Sequence, residues 1–296
     1  GSQWTQLSRA FAAKQLAHAY LLSGCEGLGK SLFADSFARY VLCMKPIVQG
    51  SVGRLADTAV ACGNCNNCLK CGVGNHPDIL TIEPEEGSKN IKIDQIRRLS
   101  EFVIRSSHSG GAKVVIIQDA HLLNANAANA LLKTLEEPND NTHVFLVSDH
   151  PGRLVATIRS RCQKLAFEVP GADIAASWLQ TIIGEGNINS ILEASDMRPL
   201  IALQLAEGDS LQDRAQFLQS ICDVKAGKKS IQQVLSLVAK NGESEVLQHF
   251  STFLSKLTKY SLTGIIDNEG DPGLQSMYAL LVPSKEKSIA QTVARS

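Results

Sequence analysis

The sequence has no surplus of either charge. Its 29 lysines and arginines balance 29 aspartates and glutamates, for a formal net charge of +0. A protein that coats nucleic acid unaided carries a basic excess, so the balance argues against that class. Long apolar runs are missing as well. No stretch approaches the roughly 20 apolar residues that cross a bilayer, so no membrane partner is expected. No secretion signal is visible, which leads us to expect a cytoplasmic protein. Repeats and low-complexity tracts are also lacking. What remains is an ordinary globular mixture, 44% hydrophobic and 20% charged over 296 residues. That length suggests two or three domains.

The eight cysteines are spread unevenly, with four of them at Cys62, Cys65, Cys68 and Cys71. Without a secretion signal, such density points to a metal and not to disulfides. The intervening Gly63, Asn64, Asn66 and Asn67 suit a tight knuckle whose N–H groups face thiolate sulfurs. Four ligands are needed and five cysteines are near, counting Cys43. Tetrahedral Zn2+ is the natural occupant. An iron–sulfur cluster is the rival, but its usual run has three residues before a last cysteine that is followed by proline, which is absent here.

The stretch Gly24-Cys25-Glu26-Gly27-Leu28-Gly29-Lys30-Ser31 fits the phosphate-loop pattern G-x-x-x-x-G-K-[ST] throughout. An apolar segment at 19–22 precedes it and an amphipathic segment follows, which is the strand–loop–helix context the motif needs. Gly24, Gly27 and Gly29 let backbone N–H groups turn toward a triphosphate. Lys30 would reach the outer phosphates, and the Ser31 hydroxyl would sit on Mg2+. ATP or ADP is therefore the expected ligand.

A hydrolysing phosphate-loop enzyme needs a second motif, a buried strand that ends in carboxylates. The candidate, Val114 to Asp119, supplies one carboxylate where two are required. Asp119 could serve the metal, leaving Ala120 unable to activate water. Alternatively, Asp119 stands in the water-activating place and Gln118 holds the metal side with a neutral amide. A bland alternative is that Asp119 only caps the next helix. Either way a charge is missing, and nucleotide binding with poor or absent hydrolysis is predicted. Arg161, in Ser160-Arg161-Cys162, precedes the last expected strand. It is either an arginine finger for a neighbouring subunit or a surface residue on helix-end carbonyls.

Expected strands are 20–22, 79–82, 114–117, 144–147 and 164–167. Expected helices are 4–15, 30–43, 94–105 with Asp94 as N-cap, 126–136 and 152–159. Strands alternating with helices predict an α/β fold, a parallel sheet covered on both faces. After the break at 169–173 only helices are expected. Those at 174–183, 188–194 and 199–205 form a small unit; those at 211–222, 230–240, 243–262 and 274–281 form a third, all-helical one.

Taken together, the phosphate loop, the cysteine knuckle, the run Gly110 to Val115, the run Asn129 to Pro138 (ending Leu-Glu-Glu-Pro) and the Ser-Arg-Cys triplet closely resemble the clamp-loader branch of the AAA+ ATPases. Within that branch the similarity is greatest to the non-motor subunit of bacterial DNA polymerase III. It is dense over 17–167, recognisable over 170–207 and thin beyond. The resemblance implies a RecA-like domain at 1–168, a helical lid at 169–208 and a helical collar at 209–296. It implies a hetero-oligomeric ring with gamma/tau and delta subunits, acting on a sliding clamp and primed DNA during replication. It assigns zinc to Cys43, Cys62, Cys65 and Cys68 and leaves Cys71 spare. It makes Arg161 a finger acting in trans, places the first nucleotide sensor at Ser148 and the second at Arg198, and adds both to the nucleotide set with Asp119. Two departures stand out. Such non-motor subunits often have a damaged phosphate loop, whereas this one is intact. Motor subunits carry Asp-Glu where this chain has Gln118-Asp119. Two further readings are an active motor subunit and a zinc-dependent nucleic-acid module that carries a phosphate loop.

Overall fold

The computed structural model describes residues 2–49, 58–109, 111–139, 141–184 and 188–207, with isolated positions further along. The chain divides into two compact units, Gly1–Val169 and Pro170–Ser296.

In the first unit, helix α1 spans Ser2–Ala12, β1 Ala19–Ser23, α2 Lys30–Leu42, β2 Ile47–Gln49, β3 Thr58–Val60 and α3 Asn66–Gly72. Then follow β4 Ile79–Ile82, α4 Ile93–Ile104, β5 Lys113–Ile117, α5 Ala125–Glu136, β6 Thr142–Ser148, α6 Ala156–Arg161 and β7 Gln163–Ala166. Five strands form one sheet in the order β4-β5-β6-β1-β7, and every pairing in it is parallel. Its central strands are apolar over 19–22, 114–117 and 144–147 and bury both faces there. Ala19, Leu21, Val115, Ile117, Val144 and Leu146 turn to one side, against α4, α5 and α6. Tyr20, Leu22, Val114, Ile116, Phe145 and Val147 turn to the other, against α1 and α2. The period of two assigns alternate residues to opposite layers. The expected α/β architecture is therefore observed.

Several boundaries differ from expectation. The first helix ends at Ala12, not Gln15. Lys14 takes φ 56°, and the N–H groups of Lys14 and Gln15 return to the carbonyls of Phe11 and Ala10, a left-handed stop that closes the helix. Asp94 is not the N-cap of α4. Lys92 holds that place, its N–H bonded to Gln95 Oε1 at 2.9 Å, while Asp94 pairs with Arg97 at 2.9 Å. The helix expected at 152–159 is a short turn at Pro151–Arg153 followed by α6. The antiparallel β2–β3 hairpin and α3 were not foreseen.

The second unit holds α7 at Ala172–Ile183, α8 at Ile188–Ala194 and α9 at Pro199–Glu207, packed through Ala175, Leu179, Ile191, Leu192, Ala202 and Leu205. The four helices expected between 211 and 281, and with them the collar, lie outside the described residues. Among the described residues, no helix is long and apolar enough to cross a membrane.

Candidate functional site

The loop 24–29 joins the end of β1 to the start of α2. A Cβ on Gly24 would lie 2.3 Å from the carbonyl oxygen of Phe167, a backbone atom that has no freedom to yield. Gly29, just ahead of α2, sits at φ 79° and ψ 21°, where a glycine alone avoids strain. Gly27 also has positive φ, at 82°. No side chain caps the N-terminus of α2 and its first turn holds no acidic residue, so its N–H groups can receive an anion.

Lys30 is 4% exposed. Its Nζ donates to the Cys25 carbonyl at 2.6 Å and pairs with Asp149 Oδ1 at 2.5 Å. Ser31 Oγ donates to Gln118 Oε1 at 2.7 Å. Of the two alignments of the acidic strand, this one sets the neutral amide of Gln118 beside the loop hydroxyl and Asp119 one residue further on. Asp119 holds the N-cap position of the short turn at Ala120–Leu122 with φ 46° and ψ 45°, but its side chain makes no capping bond. Strand register sets Ser148 opposite Ser23. Ser148 is fully buried, and its Oγ is 3.4 Å from His121 Nδ1. Burial pushes the His121 imidazole below its usual range, against the pull of Asp119.

Arg161 closes α6 at the other end of the sheet. Gln163 registers with Tyr20 and Ala166 with Ser23. At about 3.3 Å per residue, the start of β7 thus lies roughly 10 Å below the level of the phosphate loop. Arg161 donates to the Thr157 carbonyl at 3.0 Å and pairs with Glu136 at 2.6 Å. Both partners are more than a third exposed, so the pair is worth about 1 kcal/mol at most and is readily exchanged.

The sulfurs of Cys43, Cys62, Cys65 and Cys68 lie within 4.8 Å of one another. Those of Cys43 and Cys65 are 4.0 Å apart and those of Cys62 and Cys68 3.9 Å. Tetrahedral Zn–S bonds of about 2.3 Å need sulfur separations of about 3.8 Å, so the donor set fits that ion. Cys62 N–H donates to Cys43 Sγ, Cys65 N–H to Cys62 Sγ and Cys68 N–H to Cys65 Sγ, at 3.3, 3.3 and 3.5 Å. Burial opposes ionisation of Cys65, yet the N–H groups of Cys68 and Met44 help to hold its thiol down at about 6. Burial pushes Cys68 up to about 12. Cys71 points instead into the core beside α2.

In the second unit, Arg198 donates to the Ser195 carbonyl at 2.9 Å and lies 3.5 Å from Asp196.

A family profile described as DNA polymerase III, delta subunit, matches residues 1–170. The DNA polymerase III subunit delta' of Haemophilus influenzae is 34% identical over 260 residues, 87% of this chain and 75% of that one. The chain belongs to the DNA polymerase III delta-prime family. Other delta-prime relatives are those of Pseudomonas aeruginosa, 39% identical over 221 residues, and Escherichia coli, 36% identical over 218. These matches take in 74% and 73% of this chain and span 63% and 62% of the relatives' own lengths.

In this delta-prime family member the fold gathers Gly24, Gly27, Gly29, Lys30, Ser31, Gln118 and Ser148 at the strand-end rim of the first unit. It sets Arg161 at the opposite rim and the four cysteines on the connection from α2 to β4. Two residues that sequence reasoning passed over touch these groups directly: Asp149, on Lys30, and Glu136, on Arg161. Asp149 stands next to the expected sensor Ser148, and Glu136 lies within the Leu-Glu-Glu-Pro run. Their positions were marked, but their partners are set by tertiary pairing.

Proposed function

We propose that this chain is the non-motor stator of a DNA polymerase III clamp loader. It joins a hetero-oligomeric ring with gamma/tau and delta subunits in the cytoplasm and helps place a sliding clamp on primed DNA during replication. The observation that carries this reading is the Ser31–Gln118 hydrogen bond of 2.7 Å. A neutral amide beside the magnesium-side hydroxyl is a poor substitute for the carboxylate that phosphoryl transfer requires. An intact cradle paired with that amide supports binding of ATP or ADP with Mg2+ and little turnover. Arg161 then acts in trans, for the sheet holds it away from its own phosphate loop. Arg198, on the lid, answers to nucleotide as the second sensor. Cys43, Cys62, Cys65 and Cys68 hold Zn2+, which supplies a structural cross-link and no chemistry. Residues 1–168 are the nucleotide domain, 169–208 the lid and 209–296 the collar.

The test is the DNA-stimulated ATPase of a reconstituted loader carrying Arg161→Ala. Turnover at the site it serves is expected to fall by about tenfold or more; unchanged turnover defeats the finger. The intact phosphate loop favours a second reading, an active motor subunit. Steady-state hydrolysis by the isolated chain with Mg2+, abolished by Lys30→Ala, would establish the motor.

A further inference from the structure

The lysine of the cradle already has an anion. Lys30 is almost wholly buried, and two of its donor directions are taken, by the Cys25 carbonyl at 2.6 Å and by Asp149 Oδ1 at 2.5 Å. We propose that Asp149 is a built-in competitor for the outer phosphates: its carboxylate occupies Lys30 until a nucleoside polyphosphate displaces it. The inference rests on reading the loop 24–31 as a nucleotide cradle, and it deepens that reading.

Three features carry it. An ammonium as buried as Lys30 requires a counter-charge. The acidic strand at β5 could have supplied one, but its rim residue is Gln118, and that amide is engaged with Ser31. The counter-charge therefore comes from the next strand, β6, whose last residue, Ser148, is locked in register with Ser23. Asp149 follows it directly, so the same strand pairing that builds the cradle fixes the carboxylate against the lysine. The carboxylate remains 23% exposed, which leaves it a path into water when phosphate arrives. A phosphate oxygen and a carboxylate oxygen compete for the same N–H donors, and the denser charge of a polyphosphate wins. Binding is then weakened by the fraction of molecules in which the pair is closed.

The test uses the full chain. Mg2+–ATP and Mg2+–ADP are titrated into the wild type, Asp149→Asn and Lys30→Met, with calorimetry as readout. Asp149→Asn is expected to bind about tenfold more tightly, as a pair closed nine times in ten requires, and Lys30→Met to bind more weakly. Equal binding by Asp149→Asn overturns the competition. Weaker binding also overturns it and would make Asp149 a ligand of the bound magnesium. In parallel, thermal midpoints without nucleotide are compared for the two single variants and the double. The double variant is expected to lose less than the sum of the singles. Strict additivity overturns the pairing itself. Coupling in that cycle, with no nucleotide bound by any variant, overturns the cradle reading and the competition together while leaving the ion pair standing.

Discussion

Asp78 shows how much a single buried carboxylate can organise. It is fully buried and accepts from the N–H groups of His108 and Ser109 at 2.8 and 2.9 Å and from the Ser107 hydroxyl at 3.2 Å. Burial alone would raise its pKa, but these donors outweigh it and hold the group below the usual carboxylate range. A lowered acid stabilises the fold above its unfolded value, near pH 4, and loses that contribution as pH falls through the folded value. Asp78→Asn should therefore cost about 1–3 kcal/mol at pH 7. The gap between variant and wild type should narrow as the medium is acidified below about pH 4, measured by urea unfolding across that range. No spacing in the chain announces this role. The contrast with Lys30 and Ser31 is instructive, because their chemistry is contained in eight consecutive residues. Asp78, Glu136 and Asp149 act on groups that are distant in sequence, and only the folded strands and helices bring them there.

Among the elements, the cysteine knuckle makes the sharpest claim. Four sulfurs converge and a fifth, Cys71, is buried elsewhere at 6% exposure. Purified chain should carry about one equivalent of zinc by elemental analysis. Cys68→Ser should lose the metal and lower the melting temperature, whereas Cys71→Ser should keep it. Retention by Cys68→Ser would count against the assigned set. The knuckle also shows where the sequence was readable. Cysteines three residues apart declare a sulfur cluster that could hold a metal, and the short apolar runs declare a buried sheet. The hairpin beside it stayed hidden because β2 and β3 are three residues each, too short for alternation to register. The helix α6 was misplaced because the turn at 151–153 breaks the helical period ahead of it, leaving the true start at Ala156.

For the whole molecule, charge and polarity matter most. A formal net charge of +0 gives little long-range attraction to phosphate backbones, so the isolated chain should bind duplex DNA weakly and with a shallow dependence on salt. Tight binding with a steep slope, measured by titration at several salt concentrations, would instead favour the nucleic-acid module. The layered fold was legible because helix and strand periods alternate for some 165 residues, while nothing in those periods reveals which end of the sheet meets which partner. The register of β7 sets the start of that strand level with Tyr20, below the phosphate loop. With the cradle on one rim and Arg161 on the other, a contact that sets Arg161 of one chain on the cradle of the next, and leaves the first chain's own cradle to a third, runs head to tail. Such a joint is heterologous, and an assembly built on it would have a direction and show each neighbour a different face.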